Sequence, residues 1–217
     1  MNTLNNEKVS TVLNSLHEKS AADSIKRAEQ RRKKDFSDWN TAYLAIDRDQ
    51  GNFLYFLATL QKAKSFVEFG CSYGISTIYL ASAARDNGGH VTTTDIEPNK
   101  IAGTKDNLEN AGLSTEVSVL EGDAMETLAT IKDTVDFLFL DGAKILYLPV
   151  FELLYPKLSK GAVIVADNID KPETWPLVDR LKNAPDEFTT AELFSGRMLV
   201  AYLKASAADA TTRPMET

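Results

Sequence analysis

The chain has 217 residues, 43% of them hydrophobic and 25% charged, and a net charge of −7. That is enough material for one globular domain with a sizeable core, and the acidic balance argues against a phosphate backbone as partner. The single cysteine, Cys71, rules out an internal disulfide, and no apolar run approaches the ~20 residues that cross a bilayer, so the expectation is a soluble, cytoplasmic protein with no signal peptide.

Residues 1–45 read as a polar, mostly helical arm. Within it KRAEQRRKK (26–34) is a basic run, which in the plainest reading is a solvated helix face. The sharper readings are a contact for RNA or for an anionic substrate tail. From about residue 50, short apolar strands alternate with helical stretches. Strands are expected at 65–70, 90–95, 117–123, 135–141 and 162–168, with helices at 75–86, 98–111, 124–132 and 146–157 between them. Pro98 suits a first helical turn. The runs VDFLFLD and AVIVADN are almost wholly apolar, as central parallel strands covered on both faces should be. A helix over 172–184 precedes two further strands, 188–194 and 197–203, too close for a crossover helix and so an antiparallel pair at one edge. The expected fold is α/β: a doubly wound, Rossmann-like sheet with helices on both faces. The end, residues 205–217, is made of small and polar residues and reads as a disordered tail, which leaves 46–204 as the domain proper.

The loop after the first strand poses the functional question. GCSYG (70–74) matches the G-x-S-x-G nucleophile elbow of serine hydrolases. That fold needs a histidine after the serine, and the only histidines are His17, upstream, and His90, at the far end of the next strand. Ser72 therefore lacks a base. As a nucleotide loop the stretch fares better, because Gly70 and Gly74 let the backbone approach a ligand closely. Asp95 ends the next strand, where an acid accepts from ribose hydroxyls. Gly122-Asp123-Ala124 follows the third strand beside the same crevice. The loop is not G-x-G-x-x-G, and Glu68 stands just ahead of it, which disfavours a pyrophosphate. It suits a ligand with a cationic amino group and a sulfonium, a description that fits S-adenosylmethionine. An NAD-linked dehydrogenase is disfavoured on the same ground. Cys71 has no histidine to pair with and reads as a packing residue.

A second constellation lies at the ends of two later strands. Asp141 closes one, and Asp167 and Asn168 close the next. As parallel neighbours they would bring three oxygen donors to one sheet edge, a hard site for Mg²⁺, Mn²⁺ or Ca²⁺. Lys144, three residues past Asp141, is a candidate general base.

Taken in order, VEFGCSYGIST, TTTDIEP, LEGDA, FLFLDGAKILYL and VIVADN resemble the metal-dependent catechol and caffeoyl-CoA type O-methyltransferases over about residues 46–203. The resemblance implies a seven-stranded sheet whose last strand is antiparallel. It also implies an S-adenosylmethionine site of Glu68, Gly70, Ser72, Gly74, Ser76, Asp95, Asp123, Ala124 and Asp141. Asp141, Asp167 and Asn168 would hold the metal, Lys144 would be the base with Asp141 beside it, and a homodimer is the family habit. The acceptor would be a small aromatic or polyhydroxylated molecule, with Trp39, Tyr43 and Trp175 as candidate walls. Departures from the family are a short segment between Asn168 and the last strand pair, the small Gly142 and Ala143, and an unmatched N-terminal arm. Two other readings stand beside this one: methylation of a hydroxyuridine in tRNA, supported by the 26–34 run, and non-catalytic S-adenosylmethionine binding.

Overall fold

A computed structural model describes residues 2–34 and 41–204; Trp39 and the 205–217 tail lie outside them. Seven strands, β1 (Ser65–Phe69), β2 (His90–Asp95), β3 (Val117–Glu121), β4 (Val135–Leu140), β5 (Leu158–Ala166), β6 (Phe188–Leu193) and β7 (Met198–Leu203), form one sheet in the order β3-β2-β1-β4-β5-β7-β6. The first five pair in parallel, and β7 lies antiparallel to both β5 and β6. The fold expected from the sequence is the fold observed.

Alternation along the central strands builds two cores. Phe66, Phe137, Phe139, Val163 and Val165 face one side. There they pack against α1 (Glu7–Lys33), α2 (Arg48–Gln61), α3 (Ile75–Asn87) and α4 (Pro98–Ala111). Val67, Phe69, Leu138, Leu140, Ile164 and Ala166 face the other, under the short α5 (Ala124–Thr127), α6 (Tyr147–Leu154) and α7 (Trp175–Lys182). Burial on both faces is why β4 and β5 carry no polar alternation. Through Val9, Leu13 and Leu16, α1 belongs to the first core.

Several helices are shorter than the sequence suggests. The stretches at 124–132, 146–157 and 172–184 each divide into a one- or two-turn α-helix and a 3₁₀ turn. The helix α2 has no sequence-based counterpart. Its start is fixed by a capping box: Asp47 accepts from the Gln50 amide, and Gln50 Oε1 accepts from the Asp47 amide.

The order of strands reverses between β1 and β4, so the crevice of this sheet opens past their carboxyl ends. Backbone hydrogen bonds continue beyond the strands there. The Gly122 amide donates to Asp95 O (3.0 Å), Gly70 to Thr94 O (3.0 Å), Asp141 to Phe69 O (2.9 Å) and Asp167 to Leu140 O (3.1 Å). This ladder holds the strand-end acids in a row.

Candidate active site

A cleft of about 1090 Å³ runs along that row, room for a nucleoside and a small second molecule. Its walls include Gly70, Ser72, Asp95, Asp123, Ala124, Asp141, Lys144, Asp167 and Asn168. Nine of the residues singled out from sequence thus share one cavity, although they come from five different strand ends.

In the first loop, Gly70 has φ +94°, and a Cβ there would meet the Gly142 backbone at 2.6 Å. The small Gly142 has its own reason: a side chain would strike the Phe69 ring at 2.5 Å. Asp95 draws the loop inward, accepting from the Ser72 amide (2.8 Å) and the Glu97 amide (3.1 Å). Ser72 has φ +47°, and its buried hydroxyl has no hydrogen-bond partner. His90 is hydrogen-bonded to Ser118 and His17 to Tyr79, so neither serves Ser72. Gly74 precedes the first turn of α3. Asp123 caps α5, accepting from the Met125 amide at 2.7 Å, while still facing the cleft.

Glu68 lies elsewhere. It is fully buried behind the loop, because alternate β1 residues point to opposite faces and its neighbours Val67 and Phe69 take the other side. One carboxylate oxygen accepts from Thr77 (2.5 Å) and Thr93 (2.6 Å), and the other has no partner. Burial pushes its pKa up to about 7, against the hydrogen bonds from Ser76, Thr77 and Thr93. Ser76 also lines a small recess with Gly70, Ser72 and Asp141. The sign of the linkage is clear. The folded state keeps a proton that the unfolded chain loses above its ordinary pKa of 4.5, so stability falls as pH rises through about 4.5 to 7. A shift of this size amounts to about 3 kcal/mol. Glu68→Gln is expected to remove that loss, so urea midpoints of variant and wild type should diverge between pH 5 and pH 8 in the variant's favour. Parallel curves would mean that Glu68 carries no such proton.

At the other end of the row, the Lys144 ammonium donates to Asp141 Oδ1 (2.9 Å) and to the Tyr147 hydroxyl (2.8 Å). Tyr147 passes the chain on, donating to the Asp167 carbonyl at 3.0 Å. Burial raises the Asp141 carboxyl to about 6, against the pull of Lys144. Asn168 sits in the left-handed region (φ +58°), which asparagine tolerates. Asp167 is 1% exposed. Its Oδ1 accepts from Gln50 Nε2 (2.8 Å) and Arg197 Nε (3.0 Å), and its Oδ2 accepts from Arg197 Nη2 (2.8 Å).

Gln50, Tyr147 and Arg197 were not anticipated as site residues. Gln50 carried one readable signal, the D-x-x-Q of a capping box, and Tyr147 another, its place one turn past Lys144. Arg197 had none. Among the described residues no three His, Cys, Asp or Glu side chains group as a metal site. Two carboxylates and an amide are nevertheless a hard oxygen set, so the donor chemistry fits a divalent cation of the Mg²⁺ kind.

Tyr43 stacks on Tyr73 (centroids 4.2 Å apart), which places it against the loop. Trp175 is half exposed at the start of α7 and is not among the residues lining the cleft. Leu44, Ile96 and Ile145 are exposed apolar side chains that do line it. From the basic run, Arg27 and Arg31 reach the cleft wall; Arg27 donates to Asp23 (2.7 Å) and to the Tyr43 carbonyl (2.8 Å). No helix among the described residues is long and apolar enough to cross a membrane.

The chain belongs to the O-methyltransferase family, whose model matches residues 17–172. The resemblance read from its motifs is therefore borne out. Among curated relatives, it is 32% identical over 130 residues to a catechol O-methyltransferase of Niastella koreensis. It is 34% identical over 127 residues to another catechol O-methyltransferase, from Mycobacterium tuberculosis. These matches cover 58% of this chain and 58% and 57% of the two relatives, so the chain spans little more than half the length of each. In fold it is similar to an O-methyltransferase from Bacillus cereus solved in complex with SAH, with a TM-score of 0.71, 23% identity, and coverage of 89% of this chain and 91% of that one.

Proposed function

We propose that this chain transfers a methyl group from S-adenosylmethionine to a hydroxyl of a small acceptor, a vicinal-diol aromatic in the first instance. In this reading Lys144 takes the proton, and Asp141, Asp167 and Asn168 hold a divalent cation. The observation that carries it is the row of strand-end acids along one cleft, with Lys144 pinned between Asp141 and Tyr147. When bound, the cofactor supplies an electrophilic methyl group, and the cation (Mg²⁺, Mn²⁺ or Ca²⁺) supplies Lewis acidity toward the acceptor hydroxyl.

The chain's own residues do the positioning. Asp95, with Ile96 and the Asp123-Ala124 step, would receive the ribose and adenine end of the cofactor. Lys144 in its neutral form can keep both donations, to Asp141 and Tyr147, and turn its lone pair toward the acceptor. Leu44 and Ile145 offer apolar surface to a planar ring. Holding acceptor and methyl donor in line is the larger share of the expected rate enhancement. Arg27 and Arg31 at the cleft wall favour a second reading, methylation of a hydroxylated base in tRNA.

The deciding experiment is methyl transfer from labelled S-adenosylmethionine to a panel of catechols and to tRNA carrying hydroxyuridine, each with Mg²⁺ and with EDTA. Turnover of catechols that needs Mg²⁺ is expected. Catechol turnover indifferent to EDTA would remove the cation from the reading, and transfer to tRNA alone would establish the second one.

A further inference from the structure

Asp167 already has a cation. Arg197 grips it with two nitrogens, at 3.0 and 2.8 Å, and Gln50 adds a third donor. The turn that presents Arg197 is held firmly: Phe194, Ser195 and Gly196 all have positive φ, and the Ile169 amide donates to the Arg197 carbonyl at 2.9 Å. Charges at this end of the cleft therefore balance without a metal, Asp141 and Asp167 against Lys144 and Arg197. A divalent cation arriving on Asp141, Asp167 and Asn168 would face a guanidinium on one of its own ligands. The two partners differ in freedom. The Asp167 side chain is 1% exposed and cannot leave, whereas that of Arg197 is 41% exposed and can turn into solvent.

We propose that Arg197 is a built-in competitor for the metal: its guanidinium occupies Asp167 until a divalent cation displaces it, and so sets the affinity of the site. Without the metal, Arg197 also keeps a buried carboxylate paired, a role worth retaining because an unpaired buried charge is strongly destabilising. This rests on the cation reading above.

The test is Mn²⁺ binding to the full chain, stripped of metal, followed by the electron paramagnetic resonance signal of the free ion. Wild type, Arg197→Gln, Arg197→Lys and Asp167→Asn are compared. Removing one positive charge at contact distance should tighten Mn²⁺ binding on the order of 10- to 100-fold in Arg197→Gln. Arg197→Lys, which keeps the charge but loses the fork, should fall between it and wild type. A second readout is thermal: Arg197→Gln should melt earlier than wild type without metal and gain more from Mn²⁺. If Arg197→Gln does not fold without metal, Arg197→Lys carries both comparisons. Equal affinity in wild type and the Arg197 variants, lost in Asp167→Asn, overturns the competition while leaving the metal site standing. Binding absent throughout, or unaffected by Asp167→Asn, overturns both.

Discussion

Replacing Lys144 with alanine should lower kcat for methyl transfer by about 10²- to 10⁴-fold, the usual contribution of a positioned general base. The cofactor's Kd should change far less, because Lys144 touches neither the glycine loop nor Asp95 and, of the residues expected to meet the cofactor, bonds only Asp141. Lys144→Arg separates the two roles the residue could have. Arginine keeps a positive charge beside Asp141 and cannot give up its proton near neutral pH. A base is lost in both variants, whereas a purely electrostatic group is largely restored by arginine. Steady-state kinetics with isothermal titration of S-adenosylhomocysteine provide both readings. A kcat for Lys144→Ala within threefold of wild type would falsify the assignment of Lys144 as base.

Gly70→Ala is expected to damage both stability and ligand binding. The new Cβ would lie 2.6 Å from Gly142 Cα and 2.7 Å from its nitrogen, both backbone atoms that no rotamer change can move, and φ is +94°. Strain and overpacking together should cost about 3 kcal/mol or more. The same displacement would push the loop away from the β4 end, so S-adenosylhomocysteine binding should weaken about 100-fold or more. Gly88 provides the control. It too has a positive φ (+69°), but nothing lies within 4 Å of its hypothetical Cβ. Gly88→Ala should therefore show only the conformational part, about 1 kcal/mol, with unchanged ligand affinity. Urea denaturation of the two variants tests the contrast, and equal losses would show that contact with Gly142 is immaterial.

How much of this was legible from residues alone depends on the range of the interaction. The central strands announced themselves because burial on both faces leaves them continuously apolar, as in VDFLFL. The start of β5 did not: Ser159, Lys160 and Gly161 look like a loop, yet they continue the strand before its apolar half. In the same way α2 escaped notice, since its periodicity is interrupted by Gly51, which is buried against the Tyr79 ring. The acids of the cleft were readable because strand ends in a parallel sheet share one edge, so topology does the work of three-dimensional information. Glu68 shows the limit of that argument: it was placed correctly along its strand, but its direction depends on which face each alternate residue takes. Gln50 and Arg197 lie 117 and 30 residues from Asp167 in the chain. An arginine in a hairpin turn looks like a solvent charge until the turn's position against β5 is known.

The backbone ladder beyond the strand ends bears on how this cleft can change its chemistry. Asp95, Asp141 and Asp167 are each spliced to a neighbour through a main-chain bond, at 3.0, 2.9 and 3.1 Å. They form one jaw of fixed shape, whose teeth cannot be re-spaced without unzipping the sheet. Other lining residues are of another kind: Leu44, Ile145 and Arg197 reach the cleft from connecting segments. Selection for a new acceptor can therefore work on those segments alone, leaving the acids untouched. An engineer seeking a different regiochemistry should diversify positions 43–46, 143, 145 and 146 first, keeping Lys144.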